Sequence, residues 1–481
     1  MTNSIDVKNM ICSVFSLDPE HIEECSCFDR AQSLIIDIKM NDERPACPDC
    51  GNRTVKIKGY VIKKINHSLM AHKECLIQYH ARRYVCPVCH RTYYERNPFV
   101  FHKMKISSQV VLQILKDLQS PSETFKQVAA RYHLSPTSCA SIFDMIVDIP
   151  RACLPEVLSI DENYAFHSKT ENSKYVCLFI DQVSGQPIDL LPSRRIEYLE
   201  KYFRPIPDYE RKRVRYVATD MYEPYRLIIK KFLPNSTHIV DHYHIAQELH
   251  RRLDSIRLRI MKPLRCINTN KRTYEQEENY YILKHHNYYL FKHFEKAKTK
   301  DGKYLFDVNL TRSYNKKLKR YMNPYDYAMK LISIHPDLEK AWKLKDEITD
   351  FYRSATLETA PKEIENIIQD LLNSEINELI RFGYTMINWK KEIINSFTIN
   401  RTVYNVSKKT GKASVEYKKI NNAKIERANS TIKSITKAAN GYTNWNRFRN
   451  RVMLILEKGI EFEIDEKDGQ VKMIAKKEPE K

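Results

Sequence analysis

Short apolar stretches between residues 157 and 241 follow the period of β-strands and are interrupted by two stretches of helical period. Two predicted strands, within residues 157–162 and 214–222, are rich in β-branched residues and end in Asp161 and Asp220. Further strands are predicted at residues 175–181, 188–191 and 238–241, and helices at residues 195–203 and 223–232. This order of three strands, a helix, a strand, a helix and a strand predicts a mixed α/β core.

Three helices are predicted before this core, at residues 107–118, 124–132 and 136–147. Ser135 is a good N-cap for the third helix and Pro136 suits its first position. The arrangement predicts a helix-turn-helix in which the last of the three helices is the recognition helix. The start of a recognition helix reads bases in this motif, so Thr137, Ser138 and Ser141 are expected to face DNA. The alternative is a plain helical bundle that joins two domains.

The pattern after residue 242 is helical in places, notably at residues 336–351 and 364–382, and is rich in lysine and tyrosine. We interpret residues 242–415 as a mostly helical insertion. The last residues, 465–481, are strongly charged and are predicted to be disordered.

A glutamate-bearing helix is predicted around residues 421–433. Its spacing places four polar residues on one face, Asn422, Glu426, Asn429 and Lys433, and an apolar stripe beside them, Ile425, Ala428, Ile432 and Ile435. Acidic residues at the carboxyl ends of strands lie where open α/β sheets place their sites. Asp161, Asp220 and Glu426 together would offer the oxygen ligands that Mg²⁺ or Mn²⁺ prefers. Asp241, at a predicted strand end before His242 and His244, is the rival of Asp220 as second ligand.

Two C-x-x-C pairs, Cys47 with Cys50 and Cys86 with Cys89, are separated by 35 residues of β-like alternation. Each pair forms a tight knuckle, and two knuckles supply the four thiolates that a structural Zn²⁺ site uses. We therefore predict a zinc-binding β-ribbon. The remaining cysteines, of 12 in all, are predicted to be free thiols.

Composition adds a polyanionic partner to this picture. The 481 residues include 80 Lys and Arg against 60 Asp and Glu, a net charge of +20, which favours nucleic acid. No apolar run is long enough to span a membrane, and residues 1–18 lack the pattern of a signal peptide. We therefore expect a cytoplasmic, nucleoid-associated protein without a membrane partner.

Several segments resemble the ISL-three family of DDE transposases: SIDENYAF, YVCLFID, VATDMYEPY, HIVDHYHIAQELHRRLD and NNAKIERANSTIKSITKAANGY. The resemblance covers roughly residues 30–455 and implies an RNase H-like core. It implies Asp161 on the first strand, Asp220 after the fourth and Glu426 on a later helix. It further implies metal-dependent DNA nicking and strand transfer at transposon ends, by a homo-oligomer on DNA.

The combined prediction is a multidomain α/β protein. Its expected parts are a zinc-binding domain at 1–100, a helix-turn-helix domain at 101–150, the RNase H-like core at 151–241 and 416–460, the helical insertion at 242–415 and a charged tail at 461–481. Two alternatives stay open: a DNA-binding regulator with an inactive core, and an RNase H-like nuclease without strand transfer.

Overall fold

The computed structural model describes residues 4–15, 18–30, 33–68, 73–100, 104–168, 173–267, 271–406, 413–419, 423–465 and 469–475. The N-terminal region is built mainly from β-strands. Its elements are α1 (Ser4–Phe15), β1 (Ile22–Arg30), β2 (Ser33–Met40), β3 (Lys56–Asn66), β4 (Glu74–Val85) and β5 (Thr92–Tyr94). The sheet has the order β1-β2-β4-β3, with β5 against β4, and only β2 and β4 are parallel. The predicted ribbon between the cysteine pairs is the long β3–β4 hairpin.

Three helices follow, as the sequence predicts: α2 (Ser108–Asp117), α3 (Phe125–Arg131) and α4 (Pro136–Ile146). Each helix begins after an N-cap residue whose hydroxyl oxygen accepts a hydrogen bond from a backbone N–H in the first turn. These N-cap residues are Ser107, Thr124 and Ser135. Thr124 and Gln127 form a complete capping box. These caps explain why the three boundaries are visible in the sequence.

The central sheet contains β6 (Val157–Ser168), β7 (Ser173–Asp181), β8 (Pro187–Leu191), β9 (Tyr216–Thr219) and β10 (Thr237–Val240). Its order is β10-β9-β6-β7-β8; β6, β7 and β8 are antiparallel, whereas β9 and β10 run parallel to β6. Three helices connect these strands: α5 (Ile196–Phe203), α6 (Asp208–Lys212) and α7 (Glu223–Phe232). One expectation was wrong: β6 continues to Ser168, so Asp161 lies inside this strand rather than at its end.

The sheet is covered on both faces. Leu158, Ile160 and Phe179 pack against α5 and α7 on one face. On the other face, Val176 and Leu178 pack against helices from the C-terminal part of the chain. The alternation of these side chains along β6 and β7 is the period-two pattern of a strand buried on both sides.

A mostly helical region follows β10. It contains α8 (His242–Cys266), α9 (Tyr274–His285), β11 (Ser313–Asn315), β12 (Arg320–Met322), α10 (Pro324–Ser333), α11 (Pro336–Ser354), α12 (Ala360–Leu372), α13 (Asn377–Asn388) and α14 (Lys390–Asn395). A backbone hairpin of β13 (Asn400–Val406) and β14 (Ala413–Lys419) comes next. The region has its own apolar core, which includes Leu253, Ile282 and Trp342.

One prediction in this region needs correction. The single helical pattern predicted at residues 364–382 is two helices in the structure. Helix α12 ends at Leu372 and α13 begins at Asn377, with a turn between them. The strand ends where the sequence predicts: Asp241 follows β10 as the N-cap of α8, so His242 and His244 lie on a helix. The capping preference of Asp explains the turn from strand to helix at this point.

The C-terminal part contains α15 (Ala423–Ala438), α16 (Trp445–Leu456), β15 (Ile460–Ile464) and β16 (Val471–Ala475). The predicted disordered tail is wrong for residues 471–475, because β16 pairs with β15 and Val471 is buried. Buried Arg451 of α16 donates to the carbonyls of Ser120 and Glu123, both at 2.9 Å. The helix therefore ties the three-helix region to the sheet. Within the described ranges, every helix is too short or too polar to cross a membrane.

Candidate active site and zinc centre

A polar cavity of about 730 Å³ opens beside the carboxyl end of β9, between the central sheet, α15 and the helical region. Its lining residues include Asp161, Glu162, Arg194, Asp220, Tyr222, His244, Gln247, Arg251, Trp389, Glu426, Asn429 and Lys433. The three acids predicted from sequence, and two of the three polar residues predicted beside Glu426, therefore line the same space. Asn422 lies outside the described residues.

Asp161 is held against the glutamate helix. The pleat of β6 places Asp161 on the face that α15 covers, and Asn429 Nδ2 donates to Asp161 Oδ2 at 2.8 Å. Asn163, two residues further along the same face, donates to the Asn429 carbonyl at 2.7 Å. Glu426 lies one helical turn before Asn429 on the same face of α15. The hydrogen bond between Asn429 and Asp161 therefore also brings the Glu426 carboxylate to the cavity. The apolar stripe Ile425, Ala428, Ile432 and Ile435 is buried, as predicted.

Asp220 follows β9 directly, as the sequence predicts. The hydroxyl group of the preceding residue holds the Asp220 backbone in place. Thr219 Oγ1 donates to the Asp220 carbonyl at 2.7 Å and lies 2.7 Å from His238 Nε2 on β10. The side-chain atom Asp220 Oδ1 is buried and has no hydrogen-bond partner among the described residues. A buried acceptor without a donor is costly unless a further ligand satisfies it.

Burial and mutual repulsion raise the pKa of both aspartates. The pKa of Asp161 rises to about 7, mainly through burial and then through the charge of Glu162. The pKa of Asp220 rises to about 8, again through burial first and then through Glu162 and Asp161. Without a cation, both carboxyls are therefore partly protonated near neutral pH.

The donor set of this cavity suits a hard divalent cation. Buried Asp220 Oδ1 and Asn429 Oδ1 are both acceptors without a donor, and carboxylates surround them. The carboxylates are nevertheless spread out. In the part of the chain that the structure describes, the four cysteines are the only group of at least three potential ligands whose atoms all lie within 4.8 Å of one another.

Sequence reasoning missed Glu162 and Arg194. The Glu162 carboxylate accepts from Arg194 and from Tyr225 OH, the latter at 3.3 Å. The Arg194 guanidinium lies 4.6 Å from the Tyr175 ring centre and 4.4 Å from that of Tyr222. Glu162 could have been noticed as the acidic neighbour of Asp161. Arg194 stands in a loop before α5, where no spacing signals its position.

Asp241 is not among the residues that line the cavity. It is buried, accepts from the Tyr243 backbone N–H at 3.2 Å as an N-cap, and lies 3.0 Å from His242 Nδ1. These contacts give it a local structural role. Its charge still contributes to the raised pKa of Asp161, so it lies near the site.

The predicted DNA-reading residues lie elsewhere. Thr137, Ser138 and Ser141 line a separate open groove of about 500 Å³ at the start of α4. The groove also includes Asn66 from the end of β3 and Lys105. The N-terminal sheet and the three-helix region thus meet at the residues predicted to read bases.

The four predicted zinc ligands lie together. Cys47 Sγ is 3.5 Å from Cys89 Sγ, and Cys50 Sγ is 3.5 Å from Cys86 Sγ. A tetrahedron of sulfurs around Zn²⁺, with bonds of about 2.3 Å, has edges of about 3.8 Å. The four sulfurs thus lie close to the arrangement that this ion requires.

The two knuckles share one backbone geometry. Gly51 N donates to the Cys47 carbonyl at 2.9 Å, and His90 N donates to the Cys86 carbonyl at 3.0 Å. Both donors have positive φ, 73° for Gly51 and 60° for His90. The backbone N–H of Cys89 lowers the pKa of Cys86 to about 6, which favours the thiolate that zinc binds.

Comparison with known proteins assigns the family. A sequence profile of the ISL-three DDE transposases, described as a transposase, matches residues 158–407, more than half of the chain. The chain belongs to this family. A second profile, the zinc-finger of the transposases of IS204, IS1001, IS1096 and IS1165, matches residues 43–89, which contain all four cysteines of the zinc centre.

A curated relative of this transposase-family chain is the transposase for insertion sequence element IS1001 from Bordetella parapertussis. The two are 22% identical over 236 residues, which is 48% of this chain and 56% of the relative. The chain thus spans about half the length of the curated relative it matches. The transposase profile includes Asp161 and Asp220 but ends before α15. The case for Glu426 as a site residue therefore comes from the sequence resemblance and from its place in the structure, and not from this profile.

Proposed function

We propose that this chain binds the ends of an insertion sequence and catalyses metal-dependent DNA cleavage and strand transfer. One observation carries the proposal: Asp161, Asp220 and Glu426, from three distant segments, line one polar cavity. Membership of the transposase family supports the same activity. The substrate is then bacterial DNA at the nucleoid, and equivalent element ends favour a homo-oligomer on DNA.

An RNase H-like core is the fold we infer for the catalytic part. The strand order β10-β9-β6-β7-β8, with three antiparallel and two parallel strands, supports it. Helices on both faces support it as well. On this proposal the core comprises residues 151–241 and 416–460, the helical region 242–415 is an insertion, and the β15–β16 hairpin extends the core.

The proposed chemistry divides between a cation and the protein. Asp161, Asp220 and Glu426 would hold Mg²⁺ or Mn²⁺, which would stabilise charge at the scissile phosphate and activate a water or 3′-hydroxyl. Asn429 orients Asp161 through its 2.8 Å hydrogen bond. Lys433 adds a positive charge to the cavity wall, suited to a DNA phosphate. Asn422 and Asn429, which the sequence predicts on one face of the glutamate-bearing helix, are proposed DNA contacts too.

DNA recognition is proposed for the N-terminal part. The zinc centre fixes the β3–β4 hairpin, and α2, α3 and α4 form the proposed helix-turn-helix. Thr137 and Ser141 are exposed at the start of α4, where bases would be read. We propose residues 1–100 and 101–150 as the two DNA-binding domains.

The test is a cleavage and joining assay with the full chain, Mg²⁺ and duplexes that carry the element's own ends. Asp161→Asn, Asp220→Asn and Glu426→Gln retain shape but remove negative charge, so each should abolish cleavage and joining. DNA-end binding, measured in parallel, should persist, because recognition is assigned to another region.

The same assay separates the alternatives. A wild-type chain that binds ends without cutting them would indicate a regulator with an inactive core. Cleaved ends without joined products would indicate a nuclease. Full activity of Glu426→Gln would remove α15 from the site and overturn the proposed ligand set.

A further inference from the structure

The β11–β12 hairpin carries an exposed, basic and aromatic surface that the catalytic cavity does not use. We define the hairpin surface as Tyr274, Tyr314, Lys316, Lys319 and Tyr321. Tyr314 and Tyr321 are cross-strand partners whose ring centres lie 5.2 Å apart, and they are 52% and 67% exposed. Paired exposed aromatic side chains bordered by lysines form a patch of the kind that marks interaction sites.

Charge on this surface is only partly neutralised. The sequence from Arg312 to Arg320 contains no acid. Arg312 pairs with Asp326 at 2.7 Å and Lys317 with Glu277 at 3.1 Å, while Arg320 pairs with Glu278. The structure gives Lys316 and Lys319 no acidic partner among the residues it describes.

The hairpin is held rigidly, so these groups are presented in a fixed arrangement. Leu318, within the turn, is buried in the core of the helical region. Asn315 Oδ1 accepts from the backbone N–H groups of Lys317 and Leu318, and Asn315 Nδ2 donates to Tyr327 OH at 2.8 Å. Tyr274 OH, from the start of α9, donates to the Leu318 carbonyl at 3.3 Å. A rigid surface loses little entropy when it binds.

The surface lies far from the catalytic cavity. Helix α8 begins at the cavity with Tyr243 and His244, and its other end meets the segment before α9, where Arg272 donates to the Arg265 carbonyl. From His244 to Arg265, α8 rises about 31 Å at 1.5 Å per residue. Duplex DNA advances about 3.4 Å per base pair, so this rise equals about nine base pairs, close to one helical turn.

We propose that the hairpin surface binds duplex DNA about one helical turn from the phosphate that is cleaved. A two-stranded β-ribbon fits the major groove, and unpaired lysines at its tip can reach phosphates. The tyrosines pack against the sugar–phosphate backbone. This inference rests on the proposed function, because it assumes that DNA enters the catalytic cavity.

Salt-dependent binding to a random duplex tests the surface, with the full chain carrying zinc. Lys316→Gln together with Lys319→Gln should reduce the slope of log affinity against log salt by about 2, because each lost phosphate contact removes about 0.9. Tyr314→Ala together with Tyr321→Ala should weaken binding with an unchanged slope, since no charge is removed.

The matched control is Lys340→Gln together with Lys362→Gln, which removes the same charge from exposed positions on α11 and α12. It should keep the wild-type slope. Cleavage of element ends by each variant is measured in parallel. A Lys316/Lys319 variant with the wild-type slope, beside a wild-type chain that cleaves ends, would overturn the hairpin inference alone.

Failure of the wild-type chain to bind any duplex would overturn both this inference and the proposed function. Single-stranded DNA and RNA of the same length serve as further probes. If the lysine variant loses affinity only for one of these, the surface binds that nucleic acid and the duplex assignment is wrong.

Discussion

The zinc centre and the acidic cavity are both assembled from charged ligands, yet they differ in how closely their ligand atoms approach. The four sulfurs all lie within 4.8 Å of one another. Asp161, Asp220 and Glu426 line one cavity but form no such group. The four cysteines are arranged to bind one ion, whereas the three proposed ligands of the cavity lie around a larger space.

The difference follows from the range of the interactions that build each site. Each zinc knuckle is a turn of a few residues, closed by its own backbone hydrogen bonds from Gly51 and His90. The acidic cavity depends on packing between β6, β9 and α15, with a side-chain bond from Asn429 to Asp161 as the link. Short-range geometry fixes the structural site, and long-range packing fixes the candidate catalytic one.

The largest effect is expected at the zinc centre. Cys86→Ser removes one of four ligands from a site whose binding energy is also folding energy, about 10–16 kcal/mol for structural zinc. We expect zinc content to fall from about one ion per chain to nearly none, with loss of the N-terminal fold. Elemental analysis and amide exchange measure both. A folded N-terminal region without zinc would contradict the comparison.

Removal of one acid from the cavity should leave the fold intact and abolish activity. Asp161→Asn should slow DNA cleavage at least about a thousandfold, equivalent to about 4 kcal/mol. Single-turnover cleavage with Mg²⁺ measures the rate, and the thermal midpoint serves as the control for folding. An unfolded variant would mean that Asp161 acts structurally, as the cysteines do.

The raised pKa values predict opposite pH effects on metal binding and on stability. Asp161 and Asp220, with pKa values of about 7 and about 8, must lose protons to bind Mn²⁺. Mn²⁺ affinity should therefore rise steeply from pH 6 to pH 8, by about tenfold per pH unit for each proton released. Titration in buffers of different ionisation enthalpy measures the protons.

Without added Mg²⁺ or Mn²⁺, the zinc-loaded protein should lose stability as pH rises. Between the ordinary Asp pKa and the raised values, the folded state holds protons that the unfolded state has lost. Stability consequently falls as pH rises from about 4 to about 8. Asp220→Asn should flatten this fall. Equal pH profiles for the wild type and the variant would contradict the raised pKa of Asp220.

A moderate effect is expected from Arg194, which contacts Glu162 beside the ligands. Arg194→Gln should weaken activity or metal affinity about 10–100-fold, the range typical of groups that orient ligands. Arg194→Lys keeps the charge but loses the planar stacking on Tyr175 and Tyr222, so it should recover only part of the activity. Metal titration and cleavage rates together distinguish two roles of Arg194. Loss of metal affinity would indicate that it orients the acids, whereas loss of cleavage rate alone would indicate that it contacts a DNA phosphate. Full recovery by lysine would indicate that only the charge matters.

The smallest effect is expected from Asp241→Asn. Asn is a good N-cap, so α8 should lose no more than about 1 kcal/mol, and cleavage should persist. A dead Asp241→Asn variant beside an active Asp220→Asn variant would move the second ligand to Asp241. Cleavage rates and thermal midpoints of the two variants decide between them.

Locally determined features could be predicted from the sequence. The knuckles, the caps at Ser107, Thr124 and Ser135, and the strand that ends before Asp220 all depend on a few neighbouring residues. Their signals are the turn, capping and alternation patterns of short segments. The glutamate helix also falls here, because its buried stripe has helical spacing.

Features that depend on distant contacts could not be predicted. Periodicity did not separate α12 from α13, since both continue a similar apolar pattern. The high charge of the tail obscured β16, which pairs with β15 and packs against the three-helix region. Arg194 reaches the cavity through a loop, and Glu162 through the opposite face of the Asp161 strand. Neither Arg194 nor Glu162 is marked by a periodic pattern in the sequence.

The most direct test is the position of Mn²⁺ in crystals of the full chain with its element end, located by anomalous scattering. We expect Mn²⁺ bound by Asp161, Asp220 and Glu426 at about 2.0–2.3 Å from their oxygens, as hard cations require. This result would mean that DNA and metal draw the spread carboxylates together. Mn²⁺ bound by Asp161 with Glu162 or Asp241, and Glu426 left without contact to it, would contradict the account.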